Sequence, residues 1–192
     1  MRHPTTILIA MALCAIAASA FAADPAPTFT LDDQHEKTHT LSFPREKPLV
    51  ISVADPGGAR DAPKWTDMMK AKYGDQIEFW SIANLHFIPE LGHGAARVGI
   101  RATSKDPVLC DWDGGVSEKL GAKRGQANII IISPAGEITL RTGGKVEPQK
   151  LVAAFAAIEE HLPGDDAGEA SDAEDAGEEA PSDDGDGGLG RR

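Results

Sequence analysis

Residues 49–65 read LVISVADPGGARDAPKW. Leu49, Val50, Ile51 and Val53 make a short β-branched apolar run, and such a run bounded by turn residues suits a central strand covered on both faces. Asp55-Pro56-Gly57-Gly58 ends it, because proline lacks a donor and glycine tolerates positive φ. Asp61 stands where an N-cap is expected, and Pro63 where an early helical proline fits. Trp65, Met68, Met69 and Lys72–Tyr73 then recur at helical spacing and define one apolar stripe. The loop therefore joins strand to helix. Backbone N–H groups at such a junction can hold an anion or stabilise a thiolate, yet this loop carries no cysteine.

Outward from it, Phe29–Leu31 and Thr38–Leu41 flank the polar residues 32–37 and predict a β-hairpin ahead of the central strand. Ile77–Ile82 predicts a second buried strand, and Pro89 opens a helix over 88–102 that Gly92, Gly94 and Gly99 weaken. Pro107–Cys110 reads as a short strand ending at Asp113-Gly114, and Val116–Leu120 as a short helix. Asn128–Ser133, NIIIIS, is a strand whose turn Pro134-Ala135-Gly136 returns Ile138–Arg141 beside it. Leu151, Phe155, Ile158 and Leu162 share one face of a last helix over 147–162, which Pro163-Gly164 terminates. Strands separated by helices imply a parallel centre with right-handed crossovers, and the terminal hairpins would add antiparallel edges. The expected class is α/β, a three-layer α/β/α sandwich with a mixed central sheet and an N-terminal β-hairpin.

The two ends differ from this body. Residues 1–22 read as a secretory signal: Arg2, an apolar core over 7–18, and the cleavage site Ala20-Phe21-Ala22. The apolar core is too short for a membrane span, so no stable membrane insertion is expected. Cys14 follows Leu13 rather than a small residue and is itself followed by apolar residues, which argues against lipidation. Residues 164–192 hold 11 acids and two terminal arginines, so they carry −9 of the formal −11. A segment almost devoid of large apolar residues cannot offset chain entropy and is expected to be disordered. The body, residues 23–163, carries 19 acids and 16 bases and is one domain of ordinary size. It has no basic run, which argues against a nucleic-acid partner. Its one cysteine, Cys110, leaves no intramolecular disulfide and no dithiol cycle.

The element order and several local phrases resemble the redoxin branch of the thioredoxin superfamily, which includes TlpA-like and ResA-like exported thiol oxidoreductases and the peroxiredoxins. PAPTFTLDDQHEKTHTLSF is similar to that branch's opening hairpin, and KPLVISVADPGGARDAPKW to its strand, active-site loop and helix. PVLCDWDGGVSEKLGAKRGQANIIIISPAGEI is similar to its later strand, short helix, cis-proline loop and closing hairpin. A weaker likeness, through FIPELGHGAARVGIR, is to the YtfJ-like periplasmic proteins. The resemblance covers residues 26–162. It implies that Gly58 and Asp61 stand where a redox dithiol would be, and that Ala127 stands where the facing cis-proline would be. A cis peptide before a non-proline residue costs ~2.5–4 kcal/mol, so a trans bond is expected there. The fold carries over, and no catalytic residue does.

Each remaining motif has a bland reading beside the chemical one. His35-Glu36-Lys37-Thr38-His39 matches HExxH, which binds zinc when a helix sets both histidines on one face. Within a strand the two would lie ~13 Å apart, so a solvated hairpin tip is expected. Cys110 is the low-ranked catalytic candidate, as a peroxidatic or thiol-transfer nucleophile, but its neighbour Asp111 disfavours a thiolate and a buried, inert thiol is expected. Arg60 and Asp61 are candidate ligand-binding residues beside the helix start, with capping and mutual pairing as the alternative. His86 and His93 are expected to be satisfied or exposed, and with His35 and His39 they form the metal-carrier alternative. Asp183-Asp184-Gly185-Asp186-Gly187 lacks the EF-hand's alternation and closing glutamate. The expectation is an exported bacterial module, periplasmic or secreted, without a cofactor or metal. It binds a protein partner or small ligand at the vacated site, and the alternative is a single-cysteine thiol oxidoreductase.

Overall fold

The computed structural model describes residues 24–163, so the expected signal at 1–22 and the acidic segment 164–192 lie outside the described residues. The chain divides into two units at Leu162/Pro163, and the fold is that of the first. Its elements are β1 (Phe29–Asp32), β2 (Thr38–Leu41), β3 (Leu49–Ala54), α1 (Ala62–Tyr73), β4 (Glu78–Asn84), α2 (His93–Thr103), β5 (Val108–Asp111), α3 (Gly115–Lys119), β6 (Asn128–Ile132), β7 (Ile138–Gly143) and α4 (Pro148–Glu159).

The central sheet has the order β5-β4-β3-β6-β7. β3, β4 and β5 run parallel, β6 is antiparallel to β3, and β7 is antiparallel to β6. β3 occupies the middle, between β4 and β6, and the apolar runs of β3 and β6 are continuous, so every residue from 49 to 53 and from 128 to 132 is buried. Alternate residues serve opposite faces. Val50, Ile129 and Ile131 pack with Trp65, Met69 and Tyr73 of α1 and with Ala154 and Ile158 of α4. Leu49, Ile51, Ile130 and Ile132 pack with Phe29 and Leu41 of the hairpin, with Val116 of α3 and with Leu120 just after it.

Four expectations change. The N-terminal hairpin is a separate two-stranded sheet rather than an antiparallel edge. Burying Phe29 and Leu41 lays it across the α3 face, and single bridges, Pro25 to Glu137 and Asp33 to Leu109, tie it to the central sheet. The hairpin tip is not solvated throughout: Asp33 and Gln34 are buried. The Gln34 side chain donates to Asp106 O (3.0 Å) and accepts from Val108 N (2.7 Å), completing the exposed ladder edge of β5 as a strand would. β4 is only half-buried along most of its length. Finally, α2 begins at His93; Pro89 is extended and residues 90–92 make one 3₁₀ turn.

Candidate functional site

The loop after β3 closes on the loop before β6 by backbone-to-backbone contact. A Cβ added at Gly58 would fall 2.5 Å from Ala127 N and closer still to the Gln126 carbonyl. One added at Gly57 would fall 2.7 Å from Gly125 Cα. Asp55 fastens the two loops, accepting from Gly58 N at 3.0 Å and from Gly125 N at 2.7 Å. Asn128 holds the second loop from within: it donates to Lys123 O (2.8 Å), Gln126 O (3.1 Å) and Val53 O (3.3 Å) and accepts from Lys123 N (2.8 Å). Trp65 Nε1 donates to Gly144 O at 2.9 Å, drawing the loop after β7 onto α1. Gly58 and Ala127, remote in sequence, are thus brought together. Ala127 is buried in the α1-side core, and the peptide before it is trans.

At the helix start several N–H groups are already engaged within the loop. The N–H groups of Gly58 and Ala59 bond Asp55 O, those of Asp61 and Ala62 bond Gly58 O, and Pro63 has none. Asp61 occupies the N-cap position without capping the helix. Its carboxylate accepts from Lys64 Nζ at 2.8 Å instead. That bond, with the charges of Lys64, Lys145 and Arg60, holds its carboxyl below the usual range against the opposing cost of desolvation. Arg60 itself is exposed and forms no salt bridge among the described residues, and the same is true of Lys123, Arg124 and Lys145. These four side chains come from three segments that meet at the closed loops. Beside them Lys123, Gln126, Arg141 and Lys150 line a hollow of about 500 Å³.

Cys110 lies elsewhere. It sits on β5, two strands from β3, opposite Ala83 and beneath α2. It is 1% exposed. Burial pushes its thiol up to about 11; the neighbouring Arg97 opposes the shift, and Asp33 and Asp32 add to it. At neutral pH this is a core thiol, with none of the exposure or cationic dominance of a nucleophile.

The histidines are dispersed. His35 is exposed on the hairpin turn, whereas His39 Nε2 meets Asp33 Oδ2 at 2.9 Å. His86 Nδ1 meets Asn84 Oδ1 at 2.7 Å, and His93 stacks on Trp112 with ring centroids 3.8 Å apart. HExxH therefore lies on a turn and a strand rather than a helix, and Glu36 pairs with Arg97 at 2.8 Å. Among the described residues no three His, Cys, Asp or Glu side chains group to hold a metal, so the four histidines are not brought into one site.

A second concavity escaped sequence reading. It lies between α1 and α2 over the C-terminal ends of β3 and β4, with a volume of about 910 Å³. Its signal in the sequence is a shared decline in side-chain size, Val50-x-Ser52-x-Ala54 and Phe79-x-Ser81-x-Ala83.

No family model matches the chain, and no curated protein matches it. Solved structures do. A thiol:disulfide interchange protein, DsbE, of Chlorobium tepidum superposes with a TM-score of 0.56 at 20% identity, covering 73% of this chain and 97% of that one. The exposed lipoprotein thioredoxin of Streptococcus pneumoniae gives 0.55 at 17%, covering 68% and 98%. A thioredoxin of Neisseria meningitidis gives 0.54 at 20%, covering 72% and 91%. The likeness is one of fold, and the fold is thioredoxin-like with an N-terminal hairpin.

Proposed function

We propose that this thioredoxin-fold chain is an exported, non-redox binding or accessory module, and that its vacated pole holds an acidic segment of a partner protein. The observation that carries the reading is the closure of Gly57-Gly58 on Gly125–Ala127, with exposed Arg60, Lys123, Arg124 and Lys145 on the segments that meet there and without salt-bridge partners among the described residues. A dithiol needs side-chain space that this contact has removed, while unpaired cations on rigid loops favour an anionic partner. The leader-like residues 1–22 support export to the periplasm or beyond, and no helix among the described residues is long and apolar enough to cross a membrane.

Two measurements on the chain from residue 23 onward test the reading. With dithiothreitol as reductant, neither insulin disulfide nor hydrogen peroxide is turned over above the buffer rate. Turnover that disappears in Cys110→Ser would restore thiol chemistry and end the non-redox reading. A labelled oligoglutamate peptide binds, and binding weakens as salt is raised. The charge reversals Arg60→Glu and Lys145→Glu each reduce affinity several-fold. Affinity indifferent to both would remove the acidic partner from this pole.

A further inference from the structure

The α1 side of the sheet is filled at one end and hollow at the other. Residues 50, 52 and 54 of β3 face this side, as do 79, 81 and 83 of β4. Val50 and Phe79 meet the core beneath α1. The next two rungs are Ser52 beside Ser81 and Ala54 beside Ala83, in register across the parallel pair. Two successive rungs of small side chains cannot reach the helices that flank them. Pro63, Thr66 and Lys70 of α1 and Ile100 and Thr103 of α2 stand as walls, and about 910 Å³ remains between them. A concave, mostly aliphatic hollow with a few polar groups at its floor has the form of a small-molecule site.

The lining chooses among ligand chemistries. Ser52 is 3% exposed, and no hydrogen bond among the described residues engages its hydroxyl. Ser81, half-buried beside it, is equally unengaged. The threonines of the walls are spent on their own helices, Thr66 on Ala62 O and Thr103 on Gly99 O and Ile100 O. The floor therefore presents two hydroxyls, each able to donate and accept. Every charge sits at the rim: Lys70 pairs with Asp106, and Asp67 and Lys105 are exposed. Asp55, at the loop end, is committed to Gly58 N and Gly125 N. An ionised group pushed to the floor would be desolvated without a counter-charge, which is costly. Leu85, Ile100 and Val108 make the sides aliphatic, and no aromatic ring lines the cleft to stack a planar ligand.

We infer that the cleft between α1 and α2 is a binding site for an uncharged aliphatic ligand whose amide, carbonyl or hydroxyl group hydrogen-bonds Ser52 and Ser81. The site is separate from the cationic pole and does not depend on the reading given to it.

The test is an NMR titration of the ¹⁵N-labelled chain from residue 23 onward with N-acetylleucinamide, which is neutral and aliphatic and carries two amides. Isovalerate serves as the charged aliphatic control and benzamide as the neutral aromatic one. The diamide gives saturable shifts confined to the amides of residues 52–54, 81–85 and 100–104, and the two controls bind at least several-fold more weakly. Ser52→Ala and Ser81→Ala each weaken binding by roughly three- to ten-fold, the worth of one hydrogen bond. Ser81→Leu, filling the cleft, abolishes it. Should Ser81→Leu fail to fold, the alanine variants decide. The inference is overturned if the diamide produces no saturable shift up to its solubility limit or its shifts map elsewhere. It is equally overturned if isovalerate binds the same residues as tightly, or if the double alanine variant binds as the parent does.

Discussion

The closed pole and the open cleft lie side by side, share the Asp55 loop, and are both places where side-chain volume is missing. They respond in opposite ways. At the pole, Gly57 and Gly58 let one loop settle directly on another until backbone meets backbone. In the cleft, Ser52, Ala54, Ser81 and Ala83 leave a hollow that stays open. A loop can move to close a gap. A strand held in a ladder at ~4.8 Å spacing cannot, nor can helices pinned elsewhere by Trp65 and Met69 or by the hairpin tip. The same loss of volume therefore seals a site in a loop and creates one on a sheet.

Adding volume in each place tests the difference between them. Gly58→Val forces a branched side chain into the Gln126–Ala127 backbone. It should destabilise by about 3 kcal/mol, the upper range of overpacking, as read by urea unfolding. A loss below about 0.5 kcal/mol would mean the pole is not closed. Next in size is Gln34→Ala. It strips the partners from Asp106 O and Val108 N at the β5 edge and should cost about 2 kcal/mol. A larger loss of amide protection at β5 than at β6 would locate the effect.

Ser52→Val is the counter-experiment to Gly58→Val. It replaces an unengaged hydroxyl facing the cleft by methyl groups that enter it, and should stabilise by about 1 kcal/mol. Destabilisation would show that the hollow is already filled by packing.

The smallest effect is a dependence on pH at the hairpin tip. Burial of Asp33 would raise its carboxyl, but hydrogen bonds from His39 and from the N–H groups of Lys37 and His35 outweigh it and hold the carboxyl below 3.8. A depressed carboxyl contributes stability that is present above its unfolded pKa and lost as pH falls through the folded one. Acid unfolding should therefore steepen below about pH 4, by under ~1 kcal/mol for this group. Asp33→Asn should flatten that limb, and an unchanged acid limb would remove Asp33 as its source.

Much of the frame was legible because it depends on near neighbours. The continuous apolar runs at 49–53 and 128–132 announce strands covered on both faces, and the helical spacing of Trp65, Met69 and Tyr73 announces α1, although Met68, read into the same stripe, is exposed. Asp33 and Gln34 were not legible, since polar residues in a hairpin turn look solvated until the strand they cover is known. Asp61 likewise has a capping residue's type and place, yet Lys64, one turn on, takes its carboxylate. Gly58, Asp61 and Ala127 could be matched by resemblance, which also implied that Ala127 faces the loop, but not that backbone would meet backbone there. The cationic ring was hidden because Arg60, Arg124 and Lys145 are remote along the chain and no run of charge links them.

The order of strands and helices, the lack of a dithiol in the body and the isolation of Cys110 as its single thiol are written in the sequence. These follow from side-chain period, turn chemistry and counting, all of which act over a few residues or none. Only the tertiary structure decided that Gly58 would meet Ala127, that Gln34 would complete β5, and that Ser52 and Ser81 would stand side by side as a floor. Those outcomes depend on strand register and crossover geometry, which are set by partners 29 to 74 residues away in the chain. No local pattern can encode a neighbour that the chain reaches only after it has folded.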